Sequence, residues 1–205
     1  MTKPRLVLAS ASPRRAELLR RLGLDAEVMP ARVDERFLPG EEPKGHVARL
    51  ARAKAEEVRS ALPSGPDLLV VGGDTVVVLD DQVLGKPRDE DQAVEMLTRL
   101  AGRTHRVVSG VAVAAEWRTY TDVSVTEVTF CPFGPEEARA YVATGEPMDK
   151  AGAYGIQGCG AALVEQIQGD YYTVVGFPVS RLLALLSRAG WRYTFAGLEW
   201  NGGES

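Results

Sequence analysis

The stretch "DLLVVGGDTVVVLDDQVLGKP", residues 67–87, constrains the fold more than any other. Residues 68–71 and 76–79 are unbroken runs of leucine and valine with no polar face. Such runs read as strands covered on both sides. The pair Gly72 and Gly73 interrupts them, so the expectation is a buried strand ending at the glycines, with Asp74 held at its end, then a second strand. A tight turn at Asp80 and Asp81 and a short return strand to Lys86 follow. Strands of this kind need helices as covering layers.

Amphipathic segments supply them. In "LVLASASPRRAELLRRLG" an apolar run at residues 6–9 reads as a strand, Ser10 and Ser12 bracket a turn, and a helix runs from Pro13 to near Gly23 with Ser12 at its N-cap. A second helix, residues 46–59, places Val47, Leu50, Ala51 and Val58 on one stripe, and Lys54 falls on that stripe too. "RDEDQAVEMLTRLAG" reads as a third helix, with Asp89 and Gln92 spaced as a capping box and Gly102 as the stop. Alternating stretches at 106–115 and 117–130 suggest an antiparallel pair. A helix at 135–143, a glycine-rich segment, a strand at 163–167 and a last helix at 178–188 complete the pattern. No repeat or low-complexity linker divides the chain. The expectation is one α/β domain over residues 1–205, a mixed sheet with flanking helices forming two lobes around a central cleft.

Composition narrows the function classes. With 205 residues, 45% hydrophobic and 25% charged, the chain has the makeup of an ordinary globular protein. Its net charge of −4 argues against a nucleic-acid partner, so any basic site is local. No apolar run is long enough to span a bilayer and the N-terminus lacks a secretory core, which leads to an expectation of a cytoplasmic protein without a membrane partner. Cys131 and Cys159 have no metal-type spacing and read as buried or half-buried thiols. His46 and His105, distant in sequence, do not suggest a catalytic triad.

Chemistry concentrates at a few positions. Arg14 and Arg15 occupy the first turn of a helix, where the dipole disfavours each cation by about 0.3–1 kcal/mol. A docked polyanion would reverse that cost, since free backbone amides and two guanidiniums together suit phosphate; the alternative is that both arginines face water. Glycines for a Walker loop are missing. Asp74 is suited to bind Mg²⁺ or take a proton from water, or else to form a turn between two strands. Lys54 either snorkels or grips phosphate, and Lys86 in "LGKP" is a further basic candidate. Glu35 is a second candidate metal ligand, with Asp34 beside it and a solvated acidic loop as the alternative. In "AGAYGIQG" the glycines permit close approach to a flat ligand while Gln157 offers a donor and an acceptor; a sharp structural turn would use the same residues.

Six blocks, "SASPRR", "ARAKA", "GGDTVV", "GKP", "DKAGAYGIQG" and "GFPVSRL", occur in an order that resembles the Maf family of nucleotide pyrophosphatases, over residues 6–186. The resemblance implies a fold distantly similar to inosine triphosphate pyrophosphatases. It also implies metal-dependent hydrolysis of a nucleoside triphosphate between the α and β phosphates. It carries the proton acceptor to Asp74, substrate selection to Arg14, Thr75 and Gln157, and phosphate or metal contacts to Ser12, Arg15, Glu35, Lys54 and Lys86. Glu35 and Asp74 would hold Mg²⁺ or Mn²⁺. The "YGIQG" block resembles the branch acting on dTTP and UTP. Competing expectations are a methylated GTP or CTP substrate, against which Gln157 speaks, and a nucleotide-binding regulator of cell division. Family members are often homodimers, and the apolar last helix could serve as core or interface. Gly73 stands where alanine is common in the family, and Gly85 where glutamate occurs in some members.

Overall fold

The computed structural model describes residues 3–202. In chain order the elements are β1 (Arg5–Leu8), α1 (Pro13–Arg21), β2 (Ala26–Val28), α2 (Pro43–Ser60), β3 (Leu68–Leu79), β4 (Gln82–Leu84), α3 (Glu90–Leu100), β5 (Thr104–Ala114), β6 (Thr119–Phe130) and α4 (Pro135–Val142). Short 3-10 turns at Glu146–Asp149, Ala151–Ala153 and Cys159–Leu163 lead to β7 (Val164–Gln168), α5 (Tyr171–Val175), α6 (Val179–Arg188), β8 (Trp191–Tyr193) and β9 (Leu198–Trp200). The expected mixed α/β architecture, a mixed sheet with flanking helices, is present. Backbone contacts divide the chain into two compact units. The first takes the described residues through Asp74, residues 109–124 and those from Gly176 onward; the second takes residues 75–108 and 125–175.

In the first unit the strand order is β2-β1-β3-β5-β6, with β1 parallel to both β2 and β3. Helix α2 lies against this sheet through Ala51, Ala55 and Val58, which share a core with Leu68, Val70 and Ala112. Two glycines set how close it comes. A Cβ on Gly72 would stand 2.1 Å from the Ala51 carbonyl oxygen, and one on Gly110 would stand 2.3 Å from that of Val47. The glycine pair therefore does not end a strand: β3 runs unbroken through Gly72, Gly73 and Asp74. Asp74 lies within the strand, neither at a strand end nor in a turn. Side chains alternate along β3, so Leu68, Val70, Gly72 and Asp74 share the face that α2 covers. Gly73 points to the other face, where its Cβ would meet Arg15 Nε and the Phe177 ring at 3.2 Å.

Other boundaries follow local physics with small shifts. Pro13 opens α1 as expected, but the Ser12 hydroxyl makes no cap bond. Helix α2 begins at Pro43, a turn before the apolar stripe, because proline fits the first helical position without contributing to the stripe. Helix α6 buries Val179, Leu182, Leu185 and Leu186, so its apolar face is a core element. The pair β8 and β9 and the five-residue α5 are too short to leave a periodic signature.

In the second unit β3 turns at Asp80 (φ 49°) and Asp81 (φ 60°) into antiparallel β4, a left-handed conformation aspartate tolerates. The Asp89 side chain accepts the Gln92 amide at 2.8 Å, while the Gln92 side chain accepts the Arg88 amide at 2.8 Å, one residue away from the partner a capping box would give it. The order continues β3-β5-β6-β7, and the core gathers Leu97, Leu100, Phe130 and Tyr154. His105 is inside this core. Its Nε2 bonds the Tyr154 hydroxyl at 2.8 Å, its ring meets Phe130 edge-on, and its Nδ1 has no partner among the described residues.

Burial pushes the His105 imidazole down to about 4 from its usual 6.5. Between those values the unfolded chain binds a proton that the folded chain does not, so stability falls as pH drops from 6.5 to 4 and the loss levels off below. The contribution is about 3 kcal/mol. His105→Phe is expected to remove that slope from urea unfolding measured at pH 7, 5.5 and 4; parallel slopes in variant and wild type would show that His105 does not titrate this way.

Candidate active site

The close approach of α2 to β3 sets the centre of the site. Lys54 comes one helical turn after Ala51, and Asp74 two residues after Gly72 on the same face, so their side chains meet beyond the glycine contact. Lys54 Nζ is 2.8 Å from Asp74 Oδ1, and both residues are 8% exposed. The same ammonium is 2.6 Å from Glu35 Oε1. One cation thus serves two carboxylates from separate elements. Asp34, the other acid of the pair, turns to Arg36 at 2.6 Å, so Glu35 is the one that reaches the buried lysine.

The loop carrying Glu35 is tied to α2. The Glu41 carboxylate accepts Arg49 Nε at 2.6 Å and the Leu38 amide at 3.1 Å, and it meets His46 Nδ1 at 2.9 Å. Arg49 also donates to the Arg36 carbonyl at 3.0 Å, and Phe37 stacks on His46 with centroids 3.4 Å apart. The paired arginine and histidine hold the Glu41 carboxyl well below the usual range. Thus α2 provides Lys54 and also anchors the segment that brings Glu35 to it.

Arg15 does not face water. It is 9% exposed, donating through Nε to the Gly176 carbonyl at 2.9 Å and through Nη1 to the Gly73 carbonyl at 2.7 Å and Ser10 Oγ at 2.9 Å. Burial lowers its pKa from the ordinary arginine value, the Asp74 and Glu35 carboxylates oppose that shift, and Arg14 adds to it. It remains a cation. Ser10, a turn former by its sequence, also holds Arg15: its hydroxyl accepts both Arg15 and the Ser12 amide, the latter at 3.2 Å. Arg14 and Ser12 are half-buried at the same helix start.

The structure brings Arg15, Glu35, Lys54 and Asp74 together in the first unit, with Ser12 and Arg14 on the same turn as Arg15. Thr75, Lys86 and Gln157 belong to the second unit. There Thr75 is half-buried, whereas Lys86 and Gln157 are exposed. The Gly152 amide donates to the Gly85 carbonyl at 3.0 Å, which ties the glycine-rich segment to the residue before Lys86. Its glycines serve internal packing: a Cβ on Gly155 or Gly158 would run into Lys150 or Glu146. Cys159 in this segment is exposed, not buried or half-buried, and Cys131 is half-buried. Among the described residues no group of three or more acids, histidines and cysteines is placed to hold a metal. Among the described residues no helix is long and apolar enough to cross a membrane.

A mixed α/β scaffold that buries a lysine between two carboxylates, with a guanidinium beside them, defines a class of protein with a charge-handling site at its sheet. The chain belongs to the Maf family: the Maf-like protein family model matches residues 5–189. The dTTP/UTP pyrophosphatase of Anaeromyxobacter dehalogenans strain 2CP-1 is 52% identical over 91% of this chain and 95% of its own. That of Moorella thermoacetica is 52% identical over 91% and 95%, and that of Syntrophomonas wolfei 47% identical over 89% and 96%. Among solved structures, the Staphylococcus aureus Ham1 protein aligns with a TM-score of 0.43 and 14% identity over 62% of this chain and 72% of that one.

Arg15→Ala would leave two buried carbonyls and a serine hydroxyl without their charged donor. At about 1.5–3 kcal/mol for each hydrogen bond to a charged group, the unfolding free energy is expected to drop by at least about 3 kcal/mol in urea titration. A wild-type midpoint and slope would show that these bonds do not support the fold.

Proposed function

We propose that this chain hydrolyses dTTP and UTP to the nucleoside monophosphate and pyrophosphate, with Mg²⁺ or Mn²⁺ as cofactor. The structural observation that carries the reading is the single ammonium shared by Asp74 and Glu35 at 2.8 and 2.6 Å. It fits a chain whose relatives named dTTP/UTP pyrophosphatase are 47–52% identical to it. Two carboxylates converging on one cation suit a hard divalent ion, which commonly takes one or two protein carboxylates and completes its shell with phosphate oxygens and water. When bound there, such an ion neutralises charge on the triphosphate.

The chain's own residues account for the rest. Asp74 takes a proton from a water whose oxygen attacks the α phosphorus. The bond from that phosphorus to the bridging oxygen breaks, and pyrophosphate leaves with the bridging oxygen. Lys54 holds Asp74 in position, and its ammonium, a three-proton donor with two protons engaged, has one left for a phosphate oxygen. Arg14 and Ser12 hold phosphate at the start of α1, where the helix dipole favours an anion. Arg15, already committed to Gly73, Gly176 and Ser10, contributes charge and keeps that turn in place. Lys86 is proposed as a further phosphate contact on the family resemblance alone.

Base choice falls to Thr75 and Gln157. Thymine and uracil present an N3–H donor beside a carbonyl, which one amide can pair with twice; cytosine has an acceptor at N3. The cytoplasm as compartment and a homodimer as assembly are proposed on the family resemblance alone.

Wild-type protein with Mg²⁺ is expected to release pyrophosphate from dTTP and UTP in preference to CTP and GTP. Asp74→Asn is expected to lower kcat by about 10²–10⁴-fold while a non-hydrolysable dTTP analogue binds within about tenfold of wild type, because the amide preserves shape. A variant that keeps half its rate would remove Asp74 from the proton transfer.

A further inference from the structure

One carboxylate organises the segment that carries Gln157. Glu146 Oε1 accepts the Tyr141 hydroxyl at 2.8 Å and the Gly160 amide at 3.2 Å, and Oε2 accepts the Cys159 amide at 2.7 Å. The Tyr141 oxygen in turn accepts the Gly155 amide at 3.1 Å. Amides on both sides of Gln157 are thereby fixed by Glu146, directly or through Tyr141. Burial, reinforced by Glu146, pushes the Tyr141 hydroxyl up, so it stays protonated and donating.

The fit around this carboxylate leaves no room. A Cβ on Gly158 would stand 2.3 Å from Glu146 Oε2, and one on Gly160 would stand 2.5 Å from the Tyr141 oxygen. Lys150 closes the other flank: its stem would stand 2.6 Å from a Cβ on Gly155. Its ammonium bonds the Glu146 carbonyl and the Asp149 carboxylate, leaving the Glu146 carboxylate to the amides and the phenol. Here the sequence "AGAYGIQG" receives its physical reason. Gly155 and Gly158 let the backbone pass close to Lys150 and the half-buried Glu146 carboxylate, Gly152 lets it pass close to Val77, and the one long polar side chain of "GIQG" stays exposed.

We infer that Glu146 is a positioning residue for base selection: by gathering the Cys159 and Gly160 amides and the Tyr141 hydroxyl, it fixes the turn from which Gln157 meets the pyrimidine edge. This rests on the reading of Gln157 as the residue that pairs with the base. A rotating amide would accept cytosine as readily as uracil, so selectivity requires neighbours that hold the Gln157 amide in one orientation, and these act only if the Gln157 backbone is presented to them from a fixed position. Glutamine at position 146 has nearly the size of glutamate but replaces one acceptor with a donor. Whichever way its amide is turned, at least one of the three donors loses its partner.

The test uses the full chain and compares wild type, Glu146→Gln, Tyr141→Phe, Gln157→Leu and the double variant of Glu146 and Gln157. Initial rates are measured on dTTP, UTP and CTP, with thermal unfolding and hydrogen exchange of the amides at 155–160. Glu146→Gln is expected to lower kcat/KM for dTTP and UTP about tenfold, mainly through KM, and to change CTP far less. Its dTTP-to-CTP ratio then moves toward that of Gln157→Leu, and the double variant falls no further. Exchange at Cys159 and Gly160 quickens. Tyr141→Phe, which keeps the ring, shifts the ratio in the same direction and serves if Glu146→Gln does not fold. An unchanged ratio in both Glu146→Gln and Tyr141→Phe, with a lowered one in Gln157→Leu, would overturn the inference alone. An unchanged ratio in Gln157→Leu would overturn the reading of Gln157 and the inference with it.

Discussion

Helix α2 meets the sheet at a distance only glycine allows. With carbonyl oxygens of α2 2.1 and 2.3 Å from where the Cβ atoms of Gly72 and Gly110 would be, the helix backbone rests on β3 and β5 without side chains between. The site follows from that contact. A helix standing farther off would leave Lys54 short of Asp74, and the loop held to α2 by Glu41, Arg49, His46 and Phe37 would carry Glu35 away with it.

Such an arrangement is not made for stability. Taking a lysine, an aspartate and an arginine out of water costs several kcal/mol per ion after relaxation, and pairing returns part of it. The protein meets the cost through geometry: Lys54 has two carboxylates, and Arg15 has two carbonyls and the Ser10 hydroxyl. An apolar pair of similar volume in place of Lys54 and Asp74 would fill the same space with less electrostatic conflict. Retaining the charges suits the proposed ligand, a metal–nucleoside triphosphate that would carry both a cation and a polyanion.

The sequence made the alternation of strands and helices legible, along with the stripe that buries Lys54, because these rest on local periodicity. It misled where long-range contact decides. Gly72 and Gly73 look like a turn, since glycine pairs usually break strands; here they admit α2 on one face and Phe177 on the other, and nothing nearby in sequence announces either. The sequence leaves Arg15 either a phosphate contact or a cation facing water; it does not face water, and the carbonyls that hold it lie 58 and 161 residues away. The choice between Glu35 and Asp34 turned on Arg36, a neighbour whose claim on Asp34 only the fold makes visible. In "DKAGAYGIQG" the glycine spacing signals close approach, and within the chain the groups approached are Val77, Lys150 and the Glu146 carboxylate, none of which the spacing itself names. A carboxylate just before a glycine-rich turn is a signal that could have been read.

In the proposed reaction water attacks the α phosphorus of a pyrimidine nucleoside triphosphate. Hydrolysis of dTTP by the wild-type protein in ¹⁸O-enriched water, followed by mass spectrometry of both products, addresses it directly. Attack at the α phosphorus puts the label in dTMP, with unlabelled pyrophosphate released in equal amount. Label in pyrophosphate, or release of orthophosphate in its place, would contradict it.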